Sequence, residues 1–197
     1  MIRGVLHQPA ASIDAAIAIT HGASGNCNAP LLVALADAFA DAGMLALRYD
    51  LPYRQQRPSG PPSPARDREG IRRAAAALRQ LGAQRVFLCG SSYGGRQSSM
   101  LAAEDSNVAR ALLLLSYPLH LPGKPEKPRT DHFPNLETPA MFAHGTRDAF
   151  GSIDELRGAI AAIPARHQLE IAEGAPHGLP AKLAPWIVSR FVEFVAR

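Results

Sequence analysis

The sequence predicts an α/β protein, with a mostly parallel central sheet of about six to seven strands and helices on both faces. Three observations predict it. Short apolar runs alternate along the chain with longer amphipathic stretches. The short runs, among them AAIAIT, RVFLC and ALLLLS, are apolar almost throughout, as strands covered on both faces must be. Glycine or proline punctuates the boundaries between the runs.

Ala15–Thr20 is the first clear strand and ends at His21-Gly22, with room for at most one strand before it. Ala29–Ala42 reads as a helix carrying Leu32, Leu35, Ala36 and Phe39 on one face, with Gly43 beyond its end. Met44–Tyr49 is the next strand. Leu51–Ala65 contains five prolines and is expected to be an exposed loop. Arg66–Leu81 is a helix stopped by Gly82, and Arg85–Cys89 is a buried strand running into Gly90-Ser91-Ser92-Tyr93-Gly94-Gly95. A helix from Tyr93 to about Glu104 follows, then the strand Ala111–Ser116. Residues 117–138 form a second proline-rich loop without apolar periodicity. Pro139–His144 is a strand, Asp154–Ile163 a helix and His167–Ala172 the last strand. Gly174–Gly178 reads as a turn and Leu183–Ala196 as a closing amphipathic helix. Right-handed crossovers place the carboxyl ends of parallel strands on one edge, where ligands bind in open α/β sheets. The loops bearing His21–Gly25, Ser92, Asp148 and His177 should converge there.

Composition sets the bounds. At 197 residues with 47% hydrophobic side chains, the chain is long and apolar enough for one self-sufficient domain spanning residues 1–197 and too apolar for intrinsic disorder. No apolar run reaches membrane-spanning length, and Gln8, Pro9 and Asp14 interrupt any leader-like stretch. A soluble, cytoplasmic protein is expected. Cys27 and Cys89 are the only cysteines, which suits a reducing compartment and excludes a cysteine zinc site. Cys89 reads as inert core, whereas Cys27, near the His21–Gly25 loop, is expected to be partly exposed. The net charge of +4 comes with 18 Arg against three Lys among abundant Ala, a compositional bias rather than a phosphate-binding surface. Residues 48–79 hold eight Arg against Asp50, Asp67 and Glu69, yet only Tyr49 and Tyr53 interleave with them, so no base-stacking groove is expected. Neither nucleic acid nor membrane is an expected partner.

Gly90-Ser91-Ser92-Tyr93-Gly94 matches G-x-S-x-G, the nucleophile elbow, between a strand and a helix as that motif requires. The sharp turn forces the central serine into a sparsely populated backbone conformation, and side chains two residues before or after it would collide with neighbouring backbone. Ser92 is therefore the candidate nucleophile; its competing role is a helix cap. A serine hydroxyl needs a base, usually a histidine held by a carboxylate, and after this elbow they follow in the order acid, then histidine. His177, directly after the last strand, is the candidate base. His120 and His132 lie in the proline-rich loop, His167 begins a strand, and His144 is expected to shape its turn. Asp148, just past the carboxyl end of a strand, is the candidate acid. Asp154 suits a helix start, and Asp50 precedes Ser92 and suits a structural carboxylate. An oxyanion needs two backbone donors. Tyr93, after the nucleophile, and Ala23, in the His21–Gly25 loop, are the candidates. That loop has no lysine and does not fit G-x-G-x-x-G, so it is not read as a nucleotide site.

His21-Gly22, Gly90-Ser91-Ser92-Tyr93-Gly94, His144-Gly145-Thr146-Arg147-Asp148 and Pro176-His177-Gly178 together resemble the α/β-hydrolase superfamily over essentially the whole chain. The small size and the Leu51–Tyr53 and Ser116–His120 loops look closest to the dienelactone-hydrolase-like and testis-expressed/NSL-complex-subunit-like branch. The resemblance implies a central sheet with the catalytic groups above it and a hydrolase with no metal or cofactor. Dienelactone hydrolases carry Cys at the nucleophile, and Ser92 departs from them. Members of the superfamily often insert a lid before the acid-bearing strand. Only residues 117–138 occupy that place here, which implies a minimal, lidless form. The expected function is a serine hydrolase, a carboxylesterase or thioesterase acting on small, accessible acyl substrates; the alternative is a catalytically silent binding or scaffold protein. Arg54 and Arg57, in the loop leaving the strand Met44–Tyr49, are candidates for steering anionic substrates, weighed against mere solvation of that loop, which is preferred.

Overall fold

The computed structural model describes residues 2–10, 13–55 and 61–196. The strands are β1 (Gly4–His7), β2 (Ala15–Thr20), β3 (Leu45–Tyr49), β4 (Arg85–Ser91), β5 (Leu112–Leu115), β6 (Ala140–Arg147) and β7 (His167–Pro176). The helices are α1 (Pro30–Asp41), α2 (Pro52–Gln55), α3 (Pro64–Gln80), α4 (Tyr93–Glu104), α5 (Ile153–Ile160) and α6 (Ala184–Val195). The strands pair in the order β1-β3-β2-β4-β5-β6-β7, antiparallel only between β1 and β3. The chain leaves β2 toward β3 on one side and later returns to β4 on the other. The crevice at the carboxyl ends of β2 and β4 is thus the point where strand order reverses, the favoured ligand position in such sheets.

Alternation along each strand divides the core. Ala16, Ala18, Leu112 and Leu114 face one layer with Ile71, Ala75 and Leu78 of α3, Leu101 of α4 and Leu156 of α5. Ile17, Ile19, Leu113 and Leu115 face the other, against Leu35 and Phe39 of α1 and Ile187, Phe191 and Phe194 of α6. Phe191 meets Phe39 and Phe87 edge-on, with centroids 5.9 and 5.6 Å apart. Both sheet faces are covered, as the continuous apolar runs require.

Several element boundaries differ from expectation. Leu51–Ala65 is not simply an exposed loop: Pro52–Gln55 forms the short α2, and Leu51 and Tyr53 are buried. Helix α3 begins at Pro64, because proline at a first helical position has no N–H to leave unsatisfied. Strand β7 runs through Gly174 to Pro176 where a turn was expected, since β6 also continues past His144 and pairs with it across a register shift between Gly145 and Arg147. Within residues 117–138, Phe133–Asn135 is a single 3-10 turn that buries Phe133 against Tyr117 and Phe142. Cys27 is buried, not partly exposed, and burial raises its thiol pKa; Cys89 is buried in β4 as expected. Arginines of the basic segment are paired: Arg68 with Glu104 at 3.1 Å and Arg72 with Asp105 link α3 to the end of α4, and Arg73 pairs with Glu69 at 2.9 Å within α3. Among the described residues no helix is long and apolar enough to cross a membrane.

Candidate active site

Strand β4 delivers Ser92 to the sheet edge at the N-cap of α4, with φ 49° and ψ −115°, a conformation that L side chains rarely adopt. It is held there from both sides. The Ser92 N–H donates to the Leu115 carbonyl at 2.8 Å, and the Ser92 carbonyl accepts the Arg96 N–H at 2.9 Å. The flanking glycines are steric necessities: a Cβ on Gly90 would lie 2.3 Å from the Gly95 nitrogen, and one on Gly94 would lie 2.6 Å from the His21 carbonyl oxygen. The hydroxyl does not cap the helix. It lies 2.8 Å from His177 Nε2 instead.

His177 follows β7, and its Nδ1 lies 2.8 and 2.9 Å from the two carboxylate oxygens of Asp148. An Nδ1–H donating to Asp148 leaves the Nε2 lone pair to accept the Ser92 hydroxyl proton. The Asp148 side chain is fully buried, and its Oδ1 also accepts the Phe150 N–H at 2.8 Å. This meeting of β6 and β7 depends on Gly145, where a Cβ would lie 2.1 Å from the Ala175 carbonyl oxygen. The close approach and the register shift carry Asp148 and His177 off the sheet edge side by side. Phe150 then stacks on the His177 ring, with centroids 4.1 Å apart. His144 shapes the turn: its Nε2 lies 2.8 Å from the Gly151 carbonyl, to which it donates.

Two backbone donors border the serine. Tyr93 is the first residue of α4, where the N–H has no acceptor one turn back and the helix presents its positive end. Ala23 belongs to the turn closed by Gly25 N–H donating to the Gly22 carbonyl at 3.0 Å, and Gly22 packs directly against Ser92. That turn is clamped from behind. Tyr53 donates its hydroxyl to the Ala23 carbonyl at 2.7 Å, and the buried His21 lies with Nδ1 2.8 Å from the Gly22 carbonyl and Nε2 accepting the Leu51 N–H at 3.0 Å. Burial lowers the His21 pKa, which fits this neutral, two-bond tautomer. Asp50 takes the Cys27 N–H at 2.7 Å, the structural role its position suggested. Asp67, wholly buried, accepts the Tyr93 hydroxyl at 2.8 Å and the Ser63 N–H at 2.9 Å, tying α3 to the start of α4.

Ser92 and His177 open into a cavity of about 780 Å³ with mainly apolar walls that include Leu31, Leu32, Pro118, Phe150 and Leu179. Among the described residues no group of three or more His, Cys, Asp or Glu is placed to hold a metal ion.

A family model described as an alpha/beta hydrolase domain matches residues 13–184. The chain belongs to the alpha/beta-hydrolase family. Solved structures similar to this alpha/beta hydrolase include Est1E from Butyrivibrio proteoclasticus, at 16% identity and a TM-score of 0.78, covering 98% of this chain and 94% of that one. TT1662 from Thermus thermophilus is 22% identical with a TM-score of 0.77, covering 100% and 99%. A dienelactone hydrolase from Anabaena variabilis is 18% identical with a TM-score of 0.78, covering 97% and 88%. The fold agrees with these throughout, and no lid-sized domain is inserted in the 197-residue hydrolase.

The alpha/beta hydrolase also holds residues at its site that the sequence did not single out: Tyr53, Asp67, Arg96, Arg129 and Phe150. Arg96 alone carried a signal, standing one helical turn after Ser92. Arg54 faces the Ala23 carbonyl at 3.3 Å, with its guanidinium carbon 5.5 Å from the Tyr53 ring centroid, and does not line the cavity. Arg57 lies outside the described residues.

Proposed function

We propose that this alpha/beta hydrolase is a serine hydrolase of carboxylic esters or thioesters with small, accessible acyl groups. The observation that carries the reading is the continuous hydrogen-bonded chain from Ser92 through His177 to a buried Asp148. Ser92 Oγ attacks the acyl carbon while its proton passes to His177 Nε2, and the carbonyl electron pair moves onto oxygen. The Tyr93 and Ala23 N–H groups receive that oxyanion. Collapse expels the alcohol or thiol, which takes the proton from His177 and leaves acyl-Ser92. Water then repeats the sequence: His177 takes one proton, the acid departs and the Ser92 hydroxyl is restored. Asp148 fixes the tautomer and stabilises the imidazolium in both halves.

Similarity to Est1E, one structure of which holds ferulic acid, and to a dienelactone hydrolase supports ester and lactone bonds as the reaction class. Two unpaired, buried thiols support a reducing, cytoplasmic setting. Incubation with a fluorophosphonate probe and mass mapping tests the reading: a single adduct on Ser92 is expected. Turnover of activated esters without labelling of Ser92 would overturn the mechanism, and a chain neither labelled nor active would be a binding protein.

A further inference from the structure

The cavity beside Ser92 carries two cations that no carboxylate pairs with among the described residues. Arg96 stands one turn along α4 from the nucleophile, and Arg129 comes from the loop between β5 and β6; both line the cavity and both are partly buried. Arg96 Nε is buried without a hydrogen-bond partner. Among the described residues, neither guanidinium forms an ion pair or hydrogen bond, in contrast to Arg68, Arg72 and Arg73, whose carboxylate partners are in place. Asp131, two residues from Arg129, is exposed and pairs with neither. The backbone fixes both arginines: Arg96 N–H donates to the Ser92 carbonyl at 2.9 Å, Arg129 N–H donates to the Leu119 carbonyl at 2.7 Å, and the Arg129 carbonyl accepts the Tyr117 hydroxyl at 2.9 Å. Burial and the neighbouring Arg96 charge lower the Arg129 pKa. Two like charges held against apolar walls, with no paired carboxylate among the described residues, are unfavourable until an anion arrives.

We propose that Arg96 and Arg129 form a subsite for an anionic oxyacid group, a carboxylate or a phosphate, on the substrate that Ser92 cleaves. The guanidinium fork suits either group, and a mainly apolar wall screens such a pair less than bulk water would. The subsite rests on the serine-hydrolase reading for its reaction but not for its binding. It makes Arg96 and Arg129 specificity-determining: they hold the far end of the acyl or alcohol part while Ser92 attacks the near carbonyl.

The test compares mono(4-nitrophenyl) adipate with 4-nitrophenyl hexanoate in the wild type, Arg96→Gln, Arg129→Gln and the double variant. The ratio of kcat/KM for the anionic ester over the neutral one should fall at least tenfold in the double variant and by several-fold in each single one. Arg110→Gln, an exposed charge removed before β5, should keep the wild-type ratio. Calorimetry on Ser92→Ala with adipate and with inorganic phosphate supplies a readout free of catalysis. Saturable binding of either anion, lost when Arg96 and Arg129 are also replaced, supports the subsite and names its anion. Binding of neither, or a ratio indifferent to both arginines, overturns it. Failure to cleave either ester defeats the serine-hydrolase reading alone, and the calorimetry then judges the subsite.

Discussion

Phe150 lies stacked on His177, their ring centroids 4.1 Å apart and their planes inclined by 27°. The same Phe150 donates its N–H to Asp148, so one residue restrains both the imidazole and its carboxylate partner. Replacing the ring removes the wall that keeps Nε2 aimed at Ser92. Phe150→Ala is expected to lower kcat for a neutral ester by about tenfold or more, because small misplacements of reacting groups are costly. Phe150→Tyr should recover most of the loss. Stopped-flow measurement of acylation separates this from a weakened KM; an unchanged acylation rate in Phe150→Ala would remove the positioning role.

Ser92→Ala is expected to abolish turnover of activated esters while shifting the melting temperature by only a few degrees, since a hydroxyl alone is lost. Asp148→Asn keeps an acceptor for the Phe150 N–H but offers a donor where His177 Nδ1–H points. It should lose several orders of magnitude in kcat through the wrong tautomer. Substantial activity in Ser92→Ala, measured on protein free of wild-type contamination, would defeat the proposed chemistry.

The approach of Gly145 to Ala175 is a stability determinant. A methyl at Gly145 meets the Ala175 carbonyl oxygen at 2.1 Å, a backbone atom with nowhere to move while β6 and β7 stay paired. Gly145→Ala should cost on the order of 3 kcal/mol or leave the protein insoluble. Gly158 is the contrast: it is exposed within α5 and has open space around it, so Gly158→Ala should stabilise by about 0.5–1 kcal/mol. Urea unfolding of both variants checks the opposite signs.

These glycines also show where sequence reading stops. Ser92, Asp148 and His177 were legible as neighbours because each follows an apolar strand, and parallel topology gathers such positions on one edge. The same logic shortened β6 and β7, since Gly145 and Gly174 look like stops; only the backbone approach reveals Gly145 as the hinge of a bulge. Residues 117–138 were opaque for a different reason. That segment is held by scattered buried side chains, among them Tyr117, Leu119 and Phe133, and by single bonds such as the Tyr117 hydroxyl on the Arg129 carbonyl, and these leave no period in the sequence. Arg129 reaches the cavity through such a loop, which is why Arg54 and Arg57 drew attention instead.

The clamp behind Ala23 yields a prediction about transition-state binding. Tyr53→Phe removes the hydroxyl that donates to the Ala23 carbonyl and, at 3.3 Å, approaches that of Gly22. The turn loosens, and its N–H is held less firmly where the oxyanion forms. A loss confined to kcat, of roughly three- to thirtyfold, is expected, because a preorganised donor matters most when charge develops. A rise in KM with kcat intact would place Tyr53 in substrate binding rather than in support of the oxyanion turn.

Acid stability follows from His132, half-buried with Nε2 2.8 Å from the Ser99 hydroxyl. Burial first, then the Arg96 charge, lowers its pKa to about 4. The folded protein thus holds His132 neutral where the unfolded chain, with an ordinary pKa of about 6.5, binds a proton. The sign is fixed by linkage: the contribution is complete above pH 6.5, declines as pH falls, and is gone below about 4. Buried, neutral His21 acts in the same direction. His132→Gln keeps a group able to reach Ser99 but does not titrate. Its urea midpoint should therefore fall less steeply than that of the wild type between pH 6.5 and 4, so the two curves converge toward acid. Parallel curves over that window would mean that His132 binds its proton equally in the folded and unfolded chain, and would overturn the lowered pKa. An oxyacid bound at Arg96 would offset the nearby positive charge and make His132 easier to protonate. Adipate raises the midpoints of both variants by mass action, so the readout is their difference, which should narrow less steeply between pH 6.5 and 4 with adipate than without it.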